Sequence, residues 1–329
     1  MTVIITVFLR FLFDVCFTYL LTELTLHWIA LAISSTVLFS IVAVLDKKLL
    51  ARYIHDVRTF YFCVGAFQLI VSLIVILINP WESNPSTLTF FIGFSSGIVW
   101  ALGLMTMFFG MSRLEVSRVI PISHTYPVFV AIMATSFLGE TLSFIQYSSI
   151  LLTVLGAGLL ARSGVLSADA SNKKHDIRIY LLVLLGSVLT AVANVTYKYA
   201  LSEIEFWDLF AMRSFCLFFV LAIGGLHTKL ILEVKMFWCN KQSRYLFIFV
   251  EFVTAPMAMI LMLAALAEGP VSMASTLFST RPLFVLIIGG LLSTQYWNIL
   301  NEPLTKETMP TKLLFTTMIV LGVCGLTLF

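Results

Sequence analysis

Most charge in this chain lies in the short connections between long apolar runs, where basic residues mark every other connection and the ones between carry only acids. The sequence contains ten apolar runs, at about 27–46, 57–78, 87–110, 119–138, 142–162, 178–201, 206–226, 245–266, 270–292 and 311–329. The odd connections between them carry Lys47, Lys48, Arg52, Arg58, Arg113, Arg118, Arg162, Lys173, Lys174, Arg178, Lys229, Lys235, Lys241, Arg244, Lys306 and Lys312, 16 of the 20 basic residues. The even connections carry only acids: Glu82, Glu140, Glu203, Glu205 and Glu268. Lys and Arg resist translocation, so the odd connections are expected in the cytoplasm.

Each run approaches the roughly 20 residues a helix needs to cross the hydrocarbon. None shows the period-two alternation of a barrel strand. The expected fold class is therefore an all-α integral membrane protein with ten transmembrane helices. At 60% hydrophobic and 11% charged residues, with a mean hydropathy of +1.02, the chain departs far from soluble composition. The net charge of +3 gives no reason to expect nucleic acid, because the basic residues flank membrane spans. Cys16, Cys63, Cys216, Cys239 and Cys324 have no paired spacing and read as free thiols. Residues 1–26 are apolar but hold Arg10 and Asp14, four apart on one helical face. They read either as an extra N-terminal helix or as the product of a mis-chosen start; no basic region and small-residue cleavage site mark a signal peptide.

The two halves repeat. Val116-Ser117 and Pro127-Val128-Phe129-Val130 recur 155 residues on as Val271-Ser272 and Pro282-Leu283-Phe284-Val285. Val37-Leu38 through Lys47 recurs at an offset of 151 as Val188-Leu189 through Lys198, and Leu155-Gly156 recurs as Leu321-Gly322. Five helices per half is an odd number, so the second copy is expected to be inverted. Such repeats are the architecture of alternating-access carriers, with the site near midplane. The expected division is an N-terminal segment 1–26, a first repeat 27–162, a cytoplasmic linker 163–177 and a second repeat 178–329.

The run from Arg113 to Leu160 resembles the last two helices of an EamA domain of the drug/metabolite transporter superfamily. The resemblance rests on the small residues of its fourth helix, the Leu138-Gly139-Glu140-Thr141-Leu142 corner and Gly156-Ala157-Gly158. In the second copy Leu292-Ser293-Thr294-Gln295 replaces that corner, and Asn301-Glu302-Pro303-Leu304-Thr305 echoes it later. The resemblance implies ten helices in two inverted EamA repeats and transport of a small organic solute. Members usually have both termini in the cytoplasm, whereas the charges here place the C-terminus outside.

Polar residues inside the spans mark the expected solute path. Charge in hydrocarbon is costly, so it faces a cavity or a partner. Arg281 lies about midway along the ninth span, beside helix-breaking Pro282, and the repeat matches it with Tyr126. It reads either as a grip for a carboxylate or phosphate or as the structural partner of Glu251, the acid within the eighth span. His124, Asn194, Gln68 and Trp100 complete the set, each with an alternative role in helix packing. Lys198 and Arg213, near Glu203, Glu205 and Asp208, read as a surface ion-pair cluster. Phe237 and Trp238, in a mixed apolar and basic connection, read as membrane-interface anchors or as an ordinary connector.

Enzyme classes lack their motifs. None of the six Asp residues is four from another, as a polyprenyl transferase requires, and HExxH and phosphate-binding glycine loops are absent. No cofactor or metal is called for. The expected function is a secondary carrier, with export the expected direction, in the plasma membrane. Its expected partners are the bilayer and an anionic or zwitterionic solute. Translocation of a lipid-linked intermediate and a non-transporting membrane scaffold are the alternatives; monomer and homodimer both stay open, as does the coupling ion. Cysteines introduced within Ser167–Ser171 are expected to label only from the cytoplasmic side and one at Ser86 only from outside; the opposite pattern refutes the charge-based orientation.

Overall fold

In the computed structural model, residues 27–54, 56–114, 116–137, 143–166, 173–292 and 309–328 are described. All regular structure among them is helical. The N-terminal segment 1–26, the Gly-Glu corner and its second-half counterparts from 293 on lie outside the described residues. The helices are α1 (His27–Arg52), α2 (Val57–Ile78), α3 (Thr87–Arg113), α4 (Val116–Ser123), α5 (Tyr126–Phe137), α6 (Phe144–Leu166), α7 (Lys173–Ala200), α8 (Phe206–Gly225), α9 (Leu230–Cys239), α10 (Lys241–Phe247), α11 (Ala255–Glu268), α12 (Val271–Phe278), α13 (Arg281–Leu292) and α14 (Met309–Leu328). A π-helical segment, Ile248–Thr254, joins α10 to α11.

Seven stretches among the described residues are long and apolar enough to cross a membrane, including α4–α5 and α10–α11 taken as units. Their outer faces expose large apolar side chains such as Leu77, Leu88 and Leu181, a surface suited to lipid rather than water. The protein is a multi-pass membrane protein.

Close packing joins the two halves along antiparallel helix pairs. A Cβ on Gly103 of α3 would lie 3.0 Å from the Gly186 carbonyl of α7, while Gly110 abuts Val183. In α2 and α8, Ser72 Oγ donates to the Ala211 carbonyl at 2.9 Å, and Gly225 abuts Arg58 and Phe62. Gly156 of α6 meets Ile319 of α14, while Gly322 meets Thr153. In α1 and α11, Ser35 Oγ donates to the Ala258 carbonyl at 2.9 Å, and Trp28 covers Gly269. Small residues recur at these crossings because backbones approach closely only where side chains are short.

The repeated lysines do the same job in each half. Lys47 Nζ donates to the carbonyls of Met111 (2.6 Å) and Leu114 (2.9 Å) at the C-terminal end of α3. Lys198 Nζ donates to those of Leu266 (2.9 Å), Ala267 (2.8 Å) and Gly269 (3.1 Å) at the C-terminal end of α11. Terminal helix carbonyls lack intrahelical donors and carry partial negative charge, so an ammonium satisfies both needs. Arg213 does not join the expected ion-pair cluster, since none of its guanidinium nitrogens has a hydrogen-bond partner. Asp208 instead accepts from the Ser83 amide at 2.9 Å and from the Ser83 hydroxyl. Glu203 accepts from the Ser86 amide at 2.7 Å and from Thr89 Oγ1 at 2.8 Å, and these donors hold its carboxyl below the usual range.

Two expected spans are broken. The fourth parts into α4 and α5 at His124–Thr125, and the ninth into α12 and α13 at Ser279–Thr280. Pro127 and Pro282 cannot donate backward and their rings crowd the preceding turn, so each helix restarts beside its proline. The breaks meet: Ser279 Oγ donates to the freed His124 carbonyl at 2.7 Å, across the repeat offset of 155 residues. Phe237 does not anchor an interface. Phe237 is buried, and Trp238 stacks on Phe67 with centroids 5.8 Å apart.

The lysine ties predict that Lys198→Met lowers unfolding stability by about 1–3 kcal/mol, the cost of leaving partly buried carbonyls without a charged donor. Lys198→Arg is expected to recover most of it in thermal unfolding of the detergent-solubilised protein.

Candidate functional site

A cavity of about 100 Å³ lies beside the two helix breaks. Its wall is built from α1, α2, α3, α7, α8, the π-helical segment, α11 and the residues around both breaks. All seven residues singled out from the sequence reach it: Gln68, Trp100, His124, Tyr126, Asn194, Glu251 and Arg281. Asp46 joins them, an acid the sequence reading did not weigh.

Arg281 opens α13, where the break points its side chain inward. Nη2 donates to the Phe39 carbonyl at 2.7 Å, and the guanidinium lies 5.1 Å from the Phe39 ring centroid. Its Nε has no partner. Tyr126 opens α5 at the equivalent place and is buried. The ring of His124 packs edge-on to Tyr126 with centroids 5.8 Å apart. His124 Nδ1 lies 3.0 Å from both the Ile120 carbonyl and the Ser123 hydroxyl, donating to the carbonyl in the tautomer protonated at Nδ1 and accepting from the hydroxyl in the other.

Two amides wait for partners. Both polar atoms of the Asn194 side chain and Oε1 of Gln68 are buried without a hydrogen bond. An interhelical role leaves these atoms paired, and a buried amide left unmade costs about 1–3 kcal/mol. Trp100 forms part of the wall, and behind it the Arg213 guanidinium stacks 4.1 Å from the Trp100 ring and 5.3 Å from that of Tyr197. Arg213 is 1% exposed, and none of its guanidinium nitrogens has a hydrogen-bond partner.

The acids correct the expected pairing of Arg281 with Glu251. Among the described residues no ion pair joins them. The acid that faces Arg281 is Asp46, and Glu251 stands in hydrogen-bonding reach of Asp46. Glu251 sits in the π-helical segment that precedes Pro256, where Thr254 Oγ1 donates back to the Phe249 carbonyl at 2.9 Å. The wider turn rotates Glu251 relative to a regular helix, a feature frequent at functional sites. Asp46 escaped notice because Lys47 and Lys48 placed the end of the first span there; α1 runs six residues further, to Arg52, and buries Asp46. Among the described residues no three His, Cys, Asp or Glu side chains gather as a metal site.

The EamA-like transporter family matches this chain twice, over residues 26–162 and 177–328. No curated protein matches. Among solved structures 27 chains match. One of them, described as "Crystal structure of protein", aligns with a TM-score of 0.58 over 90% of this chain and 97% of its own, at 16% identity. At that identity the likeness speaks to the fold alone.

An unpaired buried guanidinium costs more than its ring contacts return. Arg213→Met is therefore expected to match or exceed wild-type stability in thermal unfolding, while the Trp100 contribution to fluorescence shifts. A loss above about 3 kcal/mol identifies a paired cation instead.

Proposed function

The chain belongs to the EamA-like transporter family, and we propose that it is a secondary carrier of a small anionic or zwitterionic organic solute, working by alternating access. One observation carries this reading. Polar residues that helices would otherwise keep out of hydrocarbon converge on one cavity where two broken helices meet. Arg281 supplies the positive charge, with Tyr126, His124, Asn194, Gln68, Trp100 and Glu251 around the solute path. Asp46 and Glu251 bring two acidic side chains to the same cavity.

The antiparallel pairs α1–α11, α3–α7, α2–α8 and α6–α14 support two inverted five-helix repeats, 27–162 and 178–329. With the two broken helices each spanning once, the chain crosses ten times. The sorted loop charges place the odd connections in the cytoplasm of a cell whose plasma membrane holds the protein, with export as the direction.

A thermal-shift screen of purified protein against amino acids, nucleobases, sugar phosphates and cationic drugs identifies a solute, and liposome flux then measures its transport. Arg281→Lys keeps the charge and loses the planar fork that grips a carboxylate by two bonds. Flux is expected to fall at least tenfold in Arg281→Lys with folding preserved. Unchanged flux in a folded Arg281→Gln refutes recognition by Arg281.

A further inference from the structure

Asp46 and Glu251 are 1% and 2% exposed, and their carboxyl groups lie within hydrogen-bonding reach of each other. Ionised carboxylates only accept, so the two groups can hydrogen-bond to each other when one of them carries a proton. Each also has one oxygen without a partner, Asp46 Oδ1 and Glu251 Oε1. Arg281 faces Asp46, and Cys63 of α2 faces Glu251. His124 and Tyr126 face Arg281, and Arg213 faces Tyr126 from behind the wall. Lys47, the neighbour of Asp46 in sequence, is engaged on the carbonyls that end α3.

The charges can be counted. Arg281 and Arg213 bring two positive charges; the fully ionised acids bring two negative ones. With a proton held between Asp46 and Glu251 the group is left with one positive charge in excess, which a bound anionic group cancels. Without that proton the group is already balanced, and a bound anion adds an uncompensated buried charge, costly at low dielectric. The unpartnered amide of Asn194, 1% exposed on the same cavity wall, independently marks a place for a ligand.

We propose that the Asp46–Glu251 pair takes up one proton together with the anionic group of the solute at Arg281, so that proton and solute occupy the cavity as a neutral unit. The inference rests on the proposed recognition of an anionic group by Arg281 and adds the coupling ion to it. Linkage makes the effect reciprocal: the anion raises the proton affinity of the pair, and the proton raises the affinity for the anion.

The test uses the full-length protein in lipid nanodiscs, with benzoate as a monocarboxylate probe. Infrared difference spectra across pH report the protonated carboxyl first, in wild type alone. A protonated-carboxyl band lost on alkalinisation, and missing from folded Asp46→Asn and Glu251→Gln, is expected; absence of the band at every pH overturns the shared proton. Tryptophan fluorescence then reports benzoate binding. Affinity is expected to fall about tenfold per pH unit where the band disappears, the slope for one linked proton. Equal affinity across that range overturns the coupling while leaving recognition by Arg281 intact. Absence of benzoate binding at all pH values, with the carboxyl band present, refutes anion recognition by Arg281 and the coupling with it.

Discussion

A bilayer offers no water to a broken helix, so every backbone group freed inside it must find a partner in the protein. The centre of this molecule is arranged around that demand. Pro127 and Pro282 break two helices at corresponding places, and the Ser279 hydroxyl of one break takes up the His124 carbonyl of the other. The ends of α3 and α11 face the same demand, and Lys47 and Lys198 meet it. Once these groups are satisfied, the interior is free to leave some side-chain atoms unpaired, and those of Asp46, Gln68, Asn194, Glu251 and Arg281 line the cavity.

Much of this was legible in the sequence because the membrane imposes patterns that a linear reading detects. Helix length, loop charge and the duplication each leave a periodic mark. The Tyr126–Arg281 and Lys47–Lys198 correspondences came from repeat offsets, and the lysines make equivalent contacts. What escaped depends on small rotations about helix axes. Hydropathy ended the first span at Asp46, since the lysines beside it mimic a boundary. The π-helical turn that aims Glu251 toward Asp46 has only Pro256 as an advance sign. Arg213 was assigned to a surface cluster with Glu203 and Asp208, because nearby charges in sequence invite pairing. The structure instead commits those acids to amides and hydroxyls of the 82–89 segment and stacks Arg213 on Trp100 and Tyr197.

The site therefore has two layers of origin. Its positions come from the repeat, which sets equivalent breaks opposite each other. Its charges do not follow the repeat: Arg281 stands opposite Tyr126, and the residues 155 before Glu251 and 151 after Asp46 are Ser96 and Tyr197, neither of them acidic. Near-symmetry supplies two similar arrangements of helices, while unlike residues at matched positions make one chemically directional chamber.

The crossing of α3 and α7 at Gly103 and Gly186 carries a last implication, because both glycines also belong to the cavity wall. There the chamber is bounded by main chain, which has no rotamers and cannot yield to the outline of its contents. Elsewhere it is bounded by Met107, Met259 and Met262, whose unbranched thioethers conform readily. One side of the chamber thus acts as a template and another as a cushion: under the proposed carrier function, the stiff side would sort solutes by the thickness they present to it, while the soft side would absorb their varied outlines.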